Sequence, residues 1–140
     1  MSSILKNCKL VIQKNQKGTA DAIETAKPHI KTENFIILFG DVPLITDISL
    51  KKLIKNFKNK VGSMILFKSL NPYGYGRVIT EKNKVVKVVE EIHTSKSEKL
   101  IQFCNSGIML VNKSIFFKLI KLIKFSKIKN ERYLTDIFEI

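Results

Sequence analysis

Short apolar runs alternate along this chain with amphipathic stretches and polar connections. Phe35-Ile36-Ile37-Leu38-Phe39 runs into Gly40-Asp41-Val42-Pro43-Leu44. A run of that length closed by a turn signal reads as a buried strand of a parallel sheet. Ser63-Met64-Ile65-Leu66-Phe67 reads the same way, and Leu10-Val11-Ile12-Gln13 as a shorter strand ending in an amide. Between them, Thr19 to Ala26 is rich in helix formers, with Gly18 or Thr19 to cap its start and Pro28 to stop it. From about Asp47, the residues Ile48, Leu50, Leu53, Ile54 and Phe57 recur at helical spacing. Arg77 to Thr80 and Val85 to Glu90 flank a polar Glu81-Lys82-Asn83-Lys84, which predicts a β-hairpin. A loop over 94–99 leads to a strand from Phe103 to Val111, interrupted by Asn105-Ser106-Gly107. Ser114 stands where it can cap a helix carrying Ile115, Phe116, Leu119, Ile120 and Ile123, and a last helix is expected from near Tyr133. Strands alternating with helices predict an α/β fold with a mainly parallel mixed sheet and an inserted hairpin.

Composition changes this picture little. A chain of 140 residues is one domain's worth, enough to bury about two-thirds of its unfolded surface. The formal charge of +13 is unusual, and apart from Arg77 and Arg132 its cations are lysines dispersed through the whole chain. Such a field attracts anions without selecting among them. Arginines placed for base edges and aromatics interleaved with basic residues are lacking, so no dedicated nucleic-acid partner is expected. Cys8 and Cys104 are too few for a disulfide framework or a zinc site. Both lie in apolar segments and are expected to be buried thiols. Residues 1–7 lack the apolar core of a secretory signal, and no apolar stretch is long enough to span a bilayer. A cytoplasmic protein without a membrane partner is expected.

The candidate chemistry lies in the connections. Ligands of open α/β sheets bind beyond the carboxyl ends of strands, where Asp41 would hold a metal–phosphate unit or simply cap the helix near Thr46 and Asp47. Gln13 can pair with a nucleobase edge through its amide. Gly18-Thr19 lets backbone N–H groups approach a base or phosphate closely, although a capped helix start explains the same residues. Asn71-Pro72-Tyr73-Gly74-Tyr75-Gly76-Arg77 can lie against a planar or sugar ring, or form a tight turn into a strand. Glu90 and Asn105 can grip sugar hydroxyls. Arg132-Tyr133-Leu134-Thr135-Asp136 reads as a capped helix start. His29 and His93 have no Ser or Cys at a nucleophile–base spacing, and neither a Walker loop nor a dinucleotide fingerprint is present.

Taken in order, the motifs go further. Gln13, Gln16-x-Gly18-Thr19-Ala20-x-Ala22, Phe39-Gly40-Asp41-Val42-Pro43-Leu44, Gly74-Tyr75-Gly76-Arg77, Val89-Glu90-Glu91, Asn105-Ser106-Gly107-Ile108 and Tyr133-Leu134-Thr135-Asp136 follow one another from about Leu10 to Ile140. This succession resembles the uridylyltransferase (pyrophosphorylase) domain of the bifunctional bacterial enzyme that makes UDP-N-acetylglucosamine. The resemblance implies a Rossmann-like nucleotidyltransferase fold, with residues 1–140 forming part of that domain. It implies that Gln13 and Gly18 contact uracil with Thr19 at its edge, and that Phe39 and Gly40 bind substrate. Asp41 would be the catalytic residue that ligates Mg²⁺. Gly76, Glu90, Asn105 and Thr135 would hold the N-acetylglucosamine unit. The reaction would join UTP to N-acetylglucosamine-1-phosphate and release pyrophosphate. The attacking phosphate is already an anion, so positioning and charge neutralisation are needed and a general base is not.

The chain also departs from that pattern. The family's Leu-Ala-Ala-Gly-x-Gly-Thr-Arg-Met loop, which cradles the triphosphate, is absent. Its second metal-ligating Asn would fall after Ile140, and the left-handed β-helix that carries acetyl transfer and the trimer contacts is missing. Phe39 replaces a usual Tyr, Asp21 stands where a Gly- or His-containing segment is common, and Ile92 replaces a frequent basic residue. The expectation is an incomplete domain of low or no activity by itself. The alternatives are another sugar-1-phosphate nucleotidyltransferase, or a non-catalytic fragment that binds anions or nucleic acid.

Overall fold

The computed structural model describes residues 8–58, 60–126, 128 and 130–140. Residues 1–7, read above for a secretory signal, lie outside the described residues. Helix α1 spans Thr19–Ala26, followed by a 3₁₀ turn, Lys27–His29, that takes Pro28 near its start. Strand β1 is Asn34–Ile37, helix α2 Asp47–Lys55 and strand β2 Gly62–Lys68. Strands β3, Arg77–Glu81, and β4, Lys84–Val89, form the hairpin. Strand β5 is Phe103–Asn112 and helix α3 Lys113–Leu119.

The centre of the molecule is β5. Met109 pairs with Met64 of β2 and with Ile37 of β1, while Cys104 pairs with Phe67 of β2 and Arg77 of β3. Thus β2 runs along one edge of β5, and β1 and β3 share the other. Along β5 the side chains alternate between two cores, as the period of two in a strand requires. Met109 and Val111 join Ala20, Phe116, Phe117, Ile120 and Leu134 on one face. Ile108 and Leu110 meet Leu53 of α2 on the other, with Leu50, Phe57 and Ile65 packed around them. Helical layers on both faces explain why Gly107 to Val111 is buried without a break.

The α/β nucleotidyltransferase fold and its inserted hairpin are as expected, but the strand pairing differs. Every described ladder is antiparallel. β1 and β2 do run in the same direction, yet the reversed strand β5 lies between them. The strand expected at Leu10–Gln13 is absent: the segment is irregular, with Leu10 77% and Ile12 81% exposed. No described strand lies beside it to take its backbone hydrogen bonds, and an apolar pattern alone cannot supply that partner. Cys8, expected buried, is exposed for the same lack of cover, whereas Cys104 is buried and burial raises its thiol pKa.

Smaller differences follow from local chemistry. β1 stops at Ile37, and Leu38 is half exposed. Ile48 and Ile54 face outward from α2; the helix is capped by Thr46, whose Oγ1 accepts the Ser49 N–H at 3.3 Å. The hairpin closes with Lys82-Asn83, both at positive φ (46° and 62°), a two-residue turn whose twist matches the strands. Ser114 lies inside α3, which is capped instead by Asn112 accepting from Ile115 N–H at 3.2 Å. The segment after Tyr133 is a 3₁₀ helix, Leu134–Glu139, rather than an α-helix. No described helix is long and apolar enough to cross a membrane.

Candidate functional site

Two seams bring the motif residues together. The first joins the start of α1 to residues 132–134. Ala20 N–H donates to Arg132 O at 3.1 Å, Arg132 N–H to Lys17 O at 2.9 Å, and Leu134 N–H to Thr19 Oγ1 at 2.9 Å. Gly18 lies between these bonds with φ +97°, and a Cβ there would stand 2.5 Å from Arg132 O. The Arg132 guanidinium fixes the seam from behind, pairing with Glu24 and donating to the carbonyls of Ile120 and Ile123. Gln13 reaches the same place: its Nε2 donates to Gly18 O at 3.1 Å and to Asp21 Oδ2 at 2.7 Å.

The second seam lies where the hairpin meets β5. Asn105 N–H donates to Gly76 O at 2.9 Å, and Asn105 Oδ1 accepts Gly107 N–H at 2.9 Å. That bond leaves the Asn105 Nδ2 hydrogens with no hydrogen-bond acceptor among the described residues. Thr135 is buried and donates from Oγ1 to Glu90 Oε1 at 2.8 Å. The other Glu90 oxygen is 3.4 Å from where a Gly76 Cβ would be, with Val88 at 3.3 Å and Asn105 at 3.7 Å. A donor amide and an acceptor carboxylate therefore flank a backbone stripped of its side chain, a pattern suited to a polyol. Phe39 closes the row, its ring against Gly107, which sits at φ +74° in a bulge of β5.

Leu134 and Thr135 are adjacent, so the two seams form one row of contacts. It contains Gln13, Gly18, Thr19, Phe39, Gly76, Glu90, Asn105 and Thr135. Gly40 and Asp41 stand at its end, both exposed in the turn after β1. No described cation lies within ion-pair range of Asp41, and nothing lies within 4 Å of a Cβ built on Gly40. They are joined to the row through the chain alone. A broad concavity lined by Leu53, Met64, Val85, Phe103, Phe116 and Phe138 runs along β2 and contains none of these residues; it is an open sheet edge.

Electrostatics mark two carboxylates of the motifs to which no contact with substrate was assigned. The Arg77 hydrogen bond holds Glu91 below the ordinary glutamate range against the opposing effect of burial. Burial pushes Asp136 up, aided by Glu139 and Glu90 and opposed by His93 and Lys87. His93 packs edge-on against Tyr133 at 6.0 Å. The residues missed in the sequence, Asp21, Glu91 and Gly107, each act through a partner. Glu91 and Gly107 stand in the motifs and Asp21 at a departure from the pattern, but their partners are not visible there.

A family model described as nucleotidyl transferase matches residues 3–140. The chain is similar to Bifunctional protein GlmU of Pseudothermotoga lettingae, 36% identical over 137 residues, covering 95% of this chain and 30% of that protein. It is likewise similar to Bifunctional protein GlmU of Campylobacter fetus, 35% identical over 126 residues, covering 90% of this chain and 28% of that protein. The chain thus spans about three-tenths of the length of these curated relatives. Among solved structures it is similar to apo UDP-glucose pyrophosphorylase, with a TM-score of 0.72, 19% identity and coverage of 97% of this chain and 53% of that one. A UDP-glucose pyrophosphorylase complexed with UDP-glucose gives a TM-score of 0.69 at 19% identity, covering 91% of this chain and 51% of that one. At such identity the likeness concerns the fold.

Proposed function

This chain belongs to the nucleotidyl transferase family, and from that premise we propose that it binds a uridine nucleotide and an N-acetylglucosamine phosphate for uridylyl transfer with release of pyrophosphate. The observation that carries this reading is the group formed by Gly76, Glu90, Asn105 and Thr135. The motif resemblance favours the amino sugar, and UDP-glucose in the related pyrophosphorylase favours a uridine sugar nucleotide.

In this reading Thr135 orients Glu90 by occupying Oε1, so Oε2 accepts from a sugar hydroxyl. Asn105, held by Gly107, donates from Nδ2 to the sugar, and Gly76 lets the ring lie against the backbone. Gln13, Gly18 and Thr19 receive the base, with Phe39 and Gly40 beside the nucleotide. Mg²⁺ associated with phosphates needs only one or two protein carboxylates and no all-protein cage. Among the described residues no three acidic, His or Cys groups converge on a metal position, and the single exposed carboxylate of Asp41 fits that mode. When bound, the ion neutralises phosphate charge. The chain's own task is to align the sugar phosphate with the nucleotide and to hold both in place.

Titration calorimetry with UDP-N-acetylglucosamine, UDP-glucose and dTDP-glucose in Mg²⁺ tests the assignment. UDP-N-acetylglucosamine is expected to bind most tightly, and Asp41→Ala to abolish the Mg²⁺-dependent part of UTP binding. Equal affinity for all three sugar nucleotides, or Mg²⁺-dependent binding that survives Asp41→Ala, sinks it. Gly76→Ala is expected to weaken the sugar nucleotide by about tenfold or more, because a methyl would occupy the space beside Glu90. Val88 Cγ1 at 3.3 Å and Glu90 Oε2 at 3.4 Å must each give by a few tenths of an ångström, so the unfolding midpoint of the variant is measured beside its affinity. Unchanged affinity would place the sugar elsewhere.

A further inference from the structure

Asp21 has no assigned role, yet it determines what Gln13 can recognise. The Gln13 amide nitrogen faces Gly18 O at 3.1 Å and Asp21 Oδ2 at 2.7 Å. A backbone carbonyl and an ionised carboxylate are acceptors only. Rotating the amide by half a turn would set Oε1 against both, so its orientation is fixed by chemistry. Both Nε2 hydrogens are used, and what remains for a ligand is the acceptor Oε1 alone.

We propose that Asp21 is a specificity-determining positioning residue, which locks Gln13 as a hydrogen-bond acceptor and so selects nucleobases that present a ring N–H. This rests on the reading that Gln13 faces the base. Uracil and thymine carry a hydrogen on N3, whereas cytosine in the same pose presents a bare N3 lone pair. An acceptor set against an acceptor loses its hydrogen bond and leaves both groups unpaired. Were the amide free to turn, it would offer Nε2 to cytosine and the discrimination would disappear. Gly18 O opposes that turn at 3.1 Å, and the stronger restraint, the shorter bond at 2.7 Å, comes from Asp21. It lies in the first turn of α1 and is half-buried, so its oxygen is held in place by the helix as well as by Gln13.

The test is the ratio of affinities for UTP and CTP, measured with Mg²⁺ on the whole chain and on Asp21→Ala and Asp21→Asn. The parent is expected to prefer UTP by about tenfold or more, and Asp21→Ala to narrow the preference to about threefold or less. Asp21→Asn keeps an acceptor oxygen while losing the charge, so it should retain most of the preference. A merely structural role would weaken both nucleotides together and leave the ratio unchanged. A parent that binds UTP and CTP equally, or an Asp21→Ala ratio equal to the parent's, overturns this inference and leaves the proposed function standing. A parent that binds neither nucleotide overturns both.

Discussion

Gly18→Ala should destabilise the protein by about 3 kcal/mol or more, measured as a shift in the urea unfolding midpoint. Two independent effects act at this position. Its backbone sits at φ 97°, ψ 179°, a region essentially closed to residues with a side chain. A Cβ would also stand 2.5 Å from Arg132 O, 2.7 Å from Arg132 N and 3.0 Å from Arg132 C. These are backbone atoms, which cannot rotate away. Relief requires opening the seam, and that stretches the bonds from Ala20 to Arg132 and from Leu134 to Thr19. The Gln13 bond to Gly18 O would shift with it, so nucleotide affinity should fall along with stability. Gly40→Ala is the control: nothing lies within 4 Å of its built Cβ, and its effect should stay within about 0.5 kcal/mol. A Gly18→Ala variant as stable as Gly40→Ala would mean that the seam is not held as described.

What could be read in the sequence follows how local each cause is. The hairpin, α2 and β2 are legible because neighbouring residues supply the signal: a polar turn, apolar residues at helical spacing, an apolar run. Leu10–Gln13 failed as a strand because a strand needs a partner from elsewhere in the chain. The sequence pattern also could not reveal that β5 runs in reverse between β1 and β2, since direction belongs to the connections. In the candidate site, residue type marks Glu90, Asn105 and Gly76 singly and motif order marks them together. Their convergence depends on Thr135, 45 positions from Glu90. Asp41 was placed at a strand's lip, but β1 ends at Ile37 and leaves it in the turn beyond. The pairs Asp21 with Gln13 and Glu91 with Arg77 are fixed only by tertiary packing.

Glu91→Ala is expected to lower the melting temperature by on the order of 10 °C, and Arg77→Met in the same chain to restore much of the loss. Arg77 is 2% exposed at the junction of β3, β4 and β5, where it pairs with both Val89 and Cys104. Its guanidinium meets Glu91 Oε2 at 2.7 Å and donates to Tyr75 O, and its Nε has no partner. The same Glu91 oxygen accepts Gly74 N–H at 3.1 Å. One carboxylate thus neutralises a buried cation and ties down the loop that ends at Gly76. Removing it alone strands the charge, which is the costly way to break a buried pair; replacing the arginine with an apolar residue of similar length removes the stranded charge. The double variant should therefore be more stable than Glu91→Ala, although its sugar-nucleotide affinity stays low because the Gly74 tie is gone. Acid supplies a second readout. Because Arg77 holds the folded-state pKa of Glu91 below its ordinary value, the stabilisation is complete above that ordinary value and is lost as pH falls through the lower folded one. The gap in urea midpoint between the parent and Glu91→Gln should accordingly close on acidification across that window. A gap that holds constant there, or a double variant less stable than Glu91→Ala, would show that the pair does not anchor the loop.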